Sequence, residues 1–254
     1  MGSEIEKDGH WHPEEGLILP LETVELAVSS EPHPFHLAAR AEAAANWIME
    51  TAANPALYDG EMVLQREICF EGGTLRATGH LVPFSTFLWW RKTTPAGAGC
   101  HLFGLPLVVS SDGGVILIRM GAHTANAGRV YCAAGSLDRL DVRDGGCDIE
   151  GNMRREVREE TGLDLGQAAA EPGYHLLRIG SIFTLIRVFR FDLPASELLR
   201  RIAVHMEDDP APEIEEAFAV FESDAAISGL APFMMPVLEW FFGREGMLYA
   251  CRTG

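Results

Sequence analysis

The sequence predicts an α/β fold, because segments with helical periodicity and segments with strand-like alternation follow one another along the chain. Three observations support this prediction: an alanine-rich stretch in the first quarter, repeated short runs of β-branched and aromatic residues, and an apolar segment near the end. With 254 residues, of which 47% are hydrophobic, the chain can bury one large core or two modest ones.

The first hundred residues predict a small helix-plus-strand unit. Residues 17–21 and 24–28 are short apolar runs, typical of an arm or of short edge strands. Residues 35–53 are rich in strong helix formers, and this helix should end at Asn54-Pro55 because the residue before a proline disfavours helical geometry. Its predicted apolar face consists of Leu37, Ala41, Ala44, Ile48 and Met49.

A hairpin and a linker complete this unit. Residues 60–90 alternate polar with β-branched or aromatic side chains around Gly72-Gly73, which predicts a hairpin followed by another strand. Small residues and proline then crowd together at residues 93–100, the best linker candidate. We therefore predict an N-terminal unit at residues 1–98 and a second domain at residues 99–254.

The second domain mixes strands with helices. Two strands should flank a tight turn at residues 111–114, and a third strand should end at Gly135. The remaining predicted elements are, in order, a helix at residues 148–161, two strands within residues 174–193, and helices at residues 213–223 and 232–246.

The helix at residues 148–161 carries three acids on one face. Glu156, Glu159 and Glu160 are three and four residues apart, so their side chains are neighbours on the helix surface. Like charges in this arrangement repel by a few tenths of a kcal/mol per pair, and a hard, oxygen-seeking divalent cation would remove that penalty.

Local chemistry accounts for the rest of this helix. Asp148 is placed to cap its start, and Gly162 follows its last turn as a left-handed terminator. Ile149, Met153 and Val157 form an apolar side that can pack against the body of the domain. The acids are therefore expected to face a cleft.

The string REVREETGL at residues 155–163 resembles the second half of the Nudix signature, G-x5-E-x7-R-E-U-x-E-E-x-G-U, in which U is aliphatic. Every fixed position from Arg155 to Leu163 matches, and Gly135 resembles the glycine that ends the preceding strand in that family. The resemblance covers roughly residues 101–225. It implies a Nudix-type α/β/α sandwich with a mixed sheet, preceded by the smaller N-terminal α+β unit.

The first half of the signature departs from the family pattern. Cys147 stands where the family has a glutamate, and Asp141 stands at the glycine position. Gly135 lies six residues before that position, which indicates a longer loop between strand and helix. Asp148 or Glu150 is expected to replace the missing acid.

The resemblance implies roles for particular residues. Glu156, Glu159 and Glu160 would bind Mg2+ or Mn2+, together with a backbone carbonyl at Gly135 or at the residue before it. Arg155 would orient a glutamate through a charge-assisted hydrogen bond. Glu159, Glu160 and Arg155 are thus the expected catalytic residues, and the motif leaves open which glutamate is the general base.

The family reaction is attack of water on phosphorus in a nucleoside diphosphate joined to a second group. The altered signature and the segment at residues 54–60 resemble the branch that includes UDP-glucose and UDP-galactose diphosphatases, which would release UMP and a sugar 1-phosphate. ADP-ribose, dinucleotides and coenzyme A stay open, because residues outside the signature choose among them.

Other polar residues are weaker candidates for the same site. His205, Arg119 and Arg129 could face phosphates, although ordinary surface placement is the better expectation for each. An extra metal ligand or base could come from a late acidic segment, in which a solvated helix start is an equally good explanation. The acids of that segment are Glu213, Glu215 and Glu216.

The net charge of −17 repels phosphate backbones and anionic lipids, so neither nucleic acid nor a membrane is an expected partner. The start is polar and acidic, and no apolar run approaches the roughly 20 residues of a membrane span, so we expect a cytoplasmic location. The odd number of cysteines favours reduced thiols. The histidines at residues 10, 12, 33 and 36 could collect a transition metal, but their spacing matches no closed site.

Two other functions are weighed against hydrolysis. A Nudix-fold module that binds a nucleotide without cleaving it would explain the altered first half of the signature, but not three mutually repelling carboxylates. Nucleic-acid processing such as cap removal conflicts with the net charge. The sequence therefore favours a metal-dependent hydrolase acting on a small-molecule nucleotide, and it leaves a homo-oligomer open.

Overall fold

The computed structural model describes residues 13–224 and 226–253, with side chains through Glu245. The helices in these ranges are α1 (Pro34–Ala38), α2 (Arg40–Ala53), α3 (Phe84–Thr93), α4 (Ile149–Thr161), α5 (Ala195–Asp208) and α6 (Met234–Thr253). The strands there are β1 (Ile18–Leu21), β2 (Thr23–Ser29), β3 (Glu61–Glu71), β4 (Thr74–Pro83), β5 (His101–Val109), β6 (Val115–Met120), β7 (Val130–Tyr131), β8 (Val142–Arg143), β9 (Gly146–Cys147), β10 (Ala169–Ala170), β11 (Tyr174–Ile179), β12 (Ile182–Arg190) and β13 (Ile214–Val220).

The strands form two mixed sheets. The larger has the order β1-β11-β12-β5-β6-β13, with β10 on β12 and β7 on β6, and its one parallel pair among the described strands is β12 with β5. The smaller has the order β3-β4-β2-β9-β8, in which β2 and β4 run parallel. The predicted α/β class with a mixed sheet is confirmed.

One hydrophobic core joins the two sheets. Leu26 and Leu75 of the smaller sheet belong to the same buried cluster as Leu105 and Leu117 of the larger one. Strand β1 lies in the larger sheet, whereas β8 and β9 lie in the smaller, so strands from both sides of residue 98 contribute to each sheet. The predicted domain boundary between residues 98 and 99 stays a prediction.

Two predicted elements are of the wrong type. Residues 84–93 form helix α3 rather than a strand, because Phe87 and Trp90 are buried against Leu64 and Val82 on one side of a helix. Residues 214–220 form strand β13 rather than a helix, because they pair with the free edge of β6. In both segments, tertiary packing outweighs a short and ambiguous local pattern.

The helix predicted at residues 35–53 is present as α1 and α2 and ends before Asn54-Pro55, as expected. The predicted apolar side of this helix is present but does not face the core, because Ala43 and Asn46 are the buried residues of α2. Ile48 and Met49 are instead exposed. The third strand of the second domain is shorter than predicted and ends at Tyr131. None of the described helices has the length and apolar content to cross a membrane.

Candidate active site

Helix α4 has the start, end and apolar side that its sequence predicts. The Asp148 side chain accepts a hydrogen bond of 2.8 Å from the backbone N–H of Gly151. Gly162 ends the helix with a φ of 70°, a left-handed conformation that suits glycine. Ile149, Met153 and Val157 are buried in the core. The cap, the glycine terminator and the buried apolar side together fix the direction in which the acidic face points.

The three glutamates of α4 are not equivalent. Glu160 is buried, with 8% of its surface exposed, and the Glu156 side chain is 13% exposed. The Glu159 side chain is 59% exposed. The backbone N–H of Ala134 donates to Glu160, whose Oε2 atom has no hydrogen-bond partner. A buried carboxylate oxygen without a partner is unfavourable unless a cation or a proton joins it.

Gly135 lies directly against the Glu156 carboxylate. Any side chain at position 135 would overlap the carboxylate atoms, so only glycine permits this approach. The glycine recognised in the sequence therefore has a steric reason. It brings the backbone at residues 134 and 135 against both buried acids.

Arg155 connects this acidic surface to the inserted loop. Its guanidinium donates to Asp141 at 3.0 Å and lies 2.7 Å from the nearest carboxylate oxygen of Glu156. It also contacts Asp138 at 3.3 Å and Glu159 at 3.2 Å. Arg155 thus lies within ion-pair distance of two glutamates of the acidic surface, and its role in orienting one of them stays a prediction.

Asp138 and Asp141 were missed as partners of Arg155 by sequence reasoning. Asp141 is buried, and its Oδ2 atom also accepts hydrogen bonds of 3.0 Å from Asn152 Nδ2 and from the backbone N–H of Asp138. Asp148 and Glu150, the expected replacements for the missing acid, have other partners: Asp148 caps the helix, and Glu150 pairs with Arg154 and Arg187. The signal that could have identified these partners is the presence of two acids in the loop before the helix.

The electrostatics of the acidic surface favour a bound cation. Burial raises the pKa of Glu156 to about 8 despite the opposing charge of Arg155, and the nearby Glu159 carboxylate adds to the rise. Burial also raises the pKa of Glu160 well above its usual range, reinforced by Glu156 and Glu213. Without a cation the ionised forms of both acids are therefore disfavoured at neutral pH, and a divalent ion would stabilise them.

The donor set suits magnesium rather than a closed metal cage. Among the described residues, no three His, Cys, Asp or Glu side chains converge closely enough to hold a metal ion by themselves. Mg2+ in enzymes is commonly bound by one or two carboxylates, with water and substrate phosphates completing the shell. Glu156 and Glu160, beside the backbone at Gly135, fit that pattern of ligands.

Ala134 and Gly135 form part of the wall of a cavity of about 570 Å³. The three glutamates are not among the described residues that line it, and Glu156 lies behind the wall against Gly135. Aromatic rings line the cavity at Phe103, Tyr131 and Phe233, and the Phe103 and Phe233 rings pack edge to face with centroids 5.2 Å apart. This size and apolar character suit a small organic ligand, and the rings offer a surface on which a base can stack.

Two arginines bring positive charge to the same cavity. Arg91 of α3 donates to the Asn126 side chain at 3.1 Å and to the Ala125 carbonyl at 3.3 Å, so it fixes the loop that forms one wall. Arg129 is exposed, and its side chain has no hydrogen bond or ion pair with any described residue. Arg129 is therefore available to an anionic ligand.

His101 contributes a neutral polar group to the cavity. Burial lowers the pKa of His101 to about 3, with a further contribution from Arg91. Its Nε2 atom lies 3.0 Å from the Ser136 hydroxyl, and its ring stacks on Phe103 with centroids 5.2 Å apart. His101 is therefore uncharged near pH 7, and its ring can form hydrogen bonds as a neutral donor or acceptor.

The structure places the weaker candidates in different surroundings. Glu213 lies near enough to Glu160 to raise its pKa, whereas Glu215 and Glu216 lie within ion-pair distance of Arg119. Arg119 is therefore not free for a phosphate. The His205 Nε2 atom lies 2.9 Å from the Glu159 carbonyl, at the end of α4.

The prediction of reduced thiols agrees with the cysteines whose side chains the structure describes. Cys69, Cys100, Cys132 and Cys147 are free thiols. Cys251 lies outside the residues whose side chains are described. Residues 10 and 12 of the histidine group also lie outside that range, so the expectation that these histidines form no metal site is untested.

No protein-family model matches the chain, and no curated protein matches it. Among solved structures, it is similar to a MutT protein from Methanosarcina mazei Go1, with 19% identity over 57% of this chain and 94% of that one, at a TM-score of 0.40. It is also similar to the Nudix hydrolase RenU from M. smegmatis, with 16% identity over 59% and 86% and a TM-score of 0.37. The E. coli ORF135 protein matches with 18% identity over 59% and 95%, at 0.35. The activity has to be inferred from the site itself.

The raised pKa of Glu156 gives a prediction for the metal-free protein. Below about pH 4.5 the folded and unfolded chains both hold this proton, and up to about pH 8 only the folded chain does. The free energy of unfolding should therefore fall across that interval, by on the order of a few kcal/mol. Urea denaturation in chelator should show this fall in the wild type but a smaller one in Glu156→Gln. A difference between the two proteins that does not change with pH would contradict it.

Proposed function

We propose that this protein hydrolyses the diphosphate bond of a small nucleotide derivative, as a Nudix-type hydrolase that depends on Mg2+ or Mn2+. The observation that supports this most is the position of two buried carboxylates behind a cavity wall, with Glu156 against Gly135 and Glu160, which has an unpartnered oxygen, beside Ala134. The cavity combines aromatic rings with the unpaired Arg129. A ligand with a stacking base and a phosphate chain matches both features.

In the proposed reaction, the bound cation and the side chains have different roles. When bound, the cation would neutralise the diphosphate and lower the pKa of a water molecule. Glu156 and Glu160 would hold it, with the carbonyl at Gly135 and with Glu159 as a further ligand. Either Glu159 or Glu160 would take the proton of the attacking water, and Arg155 would keep Glu156 oriented.

The finer proposal is that the substrate is a nucleotide sugar such as a UDP-sugar, cleaved to UMP and a sugar 1-phosphate. The N-terminal part of the chain supplies Arg91 to the cavity. Asn54 donates a hydrogen bond of 2.8 Å to the His123 carbonyl, in the segment that leads into the cavity wall. Contributions from this part of the chain would allow the second half of the substrate to be distinguished.

The alternative is a sensor that binds the nucleotide without cleaving it. It is favoured by the outward orientation of Glu159 and by the absence, among described residues, of a closed cluster of three acidic side chains. A sensor would bind the same ligands but release nothing.

The test is incubation with Mg2+ and a panel of UDP-sugars, ADP-ribose, dinucleotides and coenzyme A, followed by phosphorus NMR. Hydrolysis should yield two monophosphates from one member of the panel, and Glu159→Gln and Glu160→Gln should both be impaired. Calorimetric binding without turnover, with Mg2+ and with Mn2+, would favour the sensor. Turnover unaffected by both substitutions would refute the site.

Arg129→Ala is expected to raise KM about 10- to 100-fold while kcat changes by only a few-fold. The loss corresponds to one charge-assisted hydrogen bond to phosphate, which is formed in the ground state as well as in the transition state. Arg139→Ala is the matched control, because Arg139 is exposed and lies outside the residues that line the cavity. Equal effects of the two substitutions would show that Arg129 acts only through general charge.

A further inference from the structure

The outward side of α2 is apolar and exposed. Ile48 and Met49 are each 69% exposed, among the highest values for large apolar side chains in the described chain. The same side presents small apolar residues at helical spacing, namely Ala41, Ala44, Ala45 and Ala52. We call this set, residues 41, 44, 45, 48, 49 and 52, the α2 face.

The α2 face does not contribute to the core of its own chain. The opposite side of the helix does, since Ala43 and Asn46 are buried and Trp47 packs edge to face on Phe84 with centroids 6.2 Å apart. The Lys92 ammonium donates to the Asn46 side chain at 2.8 Å and secures α2 against α3. The inner side of the helix is therefore packed on the protein, and its apolar outer side is directed away from it, which is typical of a docking surface.

We propose that the α2 face binds a second copy of the same chain, with the two α2 helices antiparallel. A two-fold axis between residues 46 and 47 places residue 45 opposite 48 and residue 44 opposite 49. Ala45 then receives Ile48 of the other copy, and Ala44 receives Met49, so that each large side chain meets a small one. Residues 41 and 52 are opposed as alanine to alanine. The surface is thus self-complementary, as a two-fold dimer requires.

Charge supports the antiparallel orientation and the choice of a second copy of the chain as the partner. Arg40 lies in the first turn of α2, at the end of the helix dipole that disfavours a cation, and it has no hydrogen bond or ion pair with a described residue. The antiparallel arrangement places it beside the last turn of the other α2 helix, where carbonyl groups favour a cation. A parallel pair would bring the two Arg40 side chains together. An anionic membrane is disfavoured by the net charge of −17.

The proposed dimer should be one that dissociates on dilution. A helix of 14 residues is about 21 Å long, so the contact between two copies is small. Sedimentation of the full chain at rising concentration should show a shift from 27.8 kDa to twice that mass. Ile48→Glu should abolish the shift, with an unchanged circular dichroism spectrum and melting temperature because Ile48 is exposed. Val204→Glu is the matched control, since Val204 is an exposed apolar residue of α5, and it should leave the shift intact.

Cross-linking tests the orientation. Ala41 and Ala52 should meet across the antiparallel pair, whereas the two copies of Ala41 would lie about 16 Å apart along the helix axis. Oxidation of a mixture of Ala41→Cys and Ala52→Cys chains should therefore yield several-fold more linked dimer than either variant alone, above the background of the unsubstituted chain. A wild type that stays monomeric, a dimer that survives Ile48→Glu, or linking of either single variant at the level of the mixture would overturn the proposal. Monomers that bind anionic vesicles through the α2 face would overturn it too.

Discussion

Replacing Glu160 with glutamine is expected to lower kcat/KM about 100- to 10,000-fold, the range for loss of a metal ligand or a general base. The glutamate is buried, accepts one backbone hydrogen bond and keeps Oε2 free beside the cavity wall. Glutamine preserves the shape but removes the charge that would hold the cation. The measurement is the steady-state rate on whichever member of the substrate panel is cleaved.

Stability separates a functional loss from misfolding in this variant. Glu160 is penalised by burial and by the charges of Glu156 and Glu213, so the glutamine variant should be at least as stable as the wild type in chelator. Added Mg2+ should raise the melting temperature of the wild type but much less that of the variant. Glu222→Gln, at an exposed position, is the control and should behave as wild type in both assays. A Glu160→Gln protein with normal activity would remove Glu160 from the site.

Helix α4 could be predicted because each of its determinants is local. The cap at Asp148, the terminator at Gly162 and the apolar spacing of Met153 and Val157 lie within one segment and act over three or four residues. The family resemblance implied only that Gly135 and Glu156 serve the same metal site. Their direct contact, which leaves no room for a side chain at position 135, became visible only in three dimensions.

The partners of Arg155 and the lining of the cavity could not be predicted in the same way. Asp138 and Asp141 lie in an irregular loop with no periodicity, and their approach to Arg155 is a tertiary contact. The cavity takes Arg91 from a helix that the sequence suggested was a strand, and it takes Phe233 from the segment before α6. Residues brought together from distant segments leave no spacing pattern for sequence reasoning to find.

The exposed side of α2 illustrates a different limit. Helical spacing identified the helix and a continuous apolar side, but not whether that side was buried. The inward side carries Ala43 and Trp47 together with the polar Asn46, and it is fixed by tertiary contacts such as the packing of Trp47 on Phe84. An apolar side left outward is consistent with use in association rather than in folding.

Arg155→Met is expected to destabilise the metal-free protein by about 3 to 5 kcal/mol, the usual effect of removing one partner from a buried ion pair. Asp141 has 3% of its surface exposed and would lose its only cationic partner among the described residues, while Glu156 would lose its nearest positive charge. Urea denaturation in chelator measures the effect. Arg154→Met is the matched control from the same helix, since Arg154 is more exposed and pairs with Glu150, and it should change stability by at most about 1 kcal/mol.

A second substitution separates the structural role of Arg155 from its positioning role. Adding Asp141→Asn to Arg155→Met removes the buried charge left without a partner, so much of the lost stability should return. Activity should stay low, because Glu156 still lacks the guanidinium that orients it. The loss should appear in kcat more than in KM, since the reacting groups are misplaced while the cavity is unchanged. Recovery of activity together with stability would mean that Arg155 serves only to neutralise Asp141.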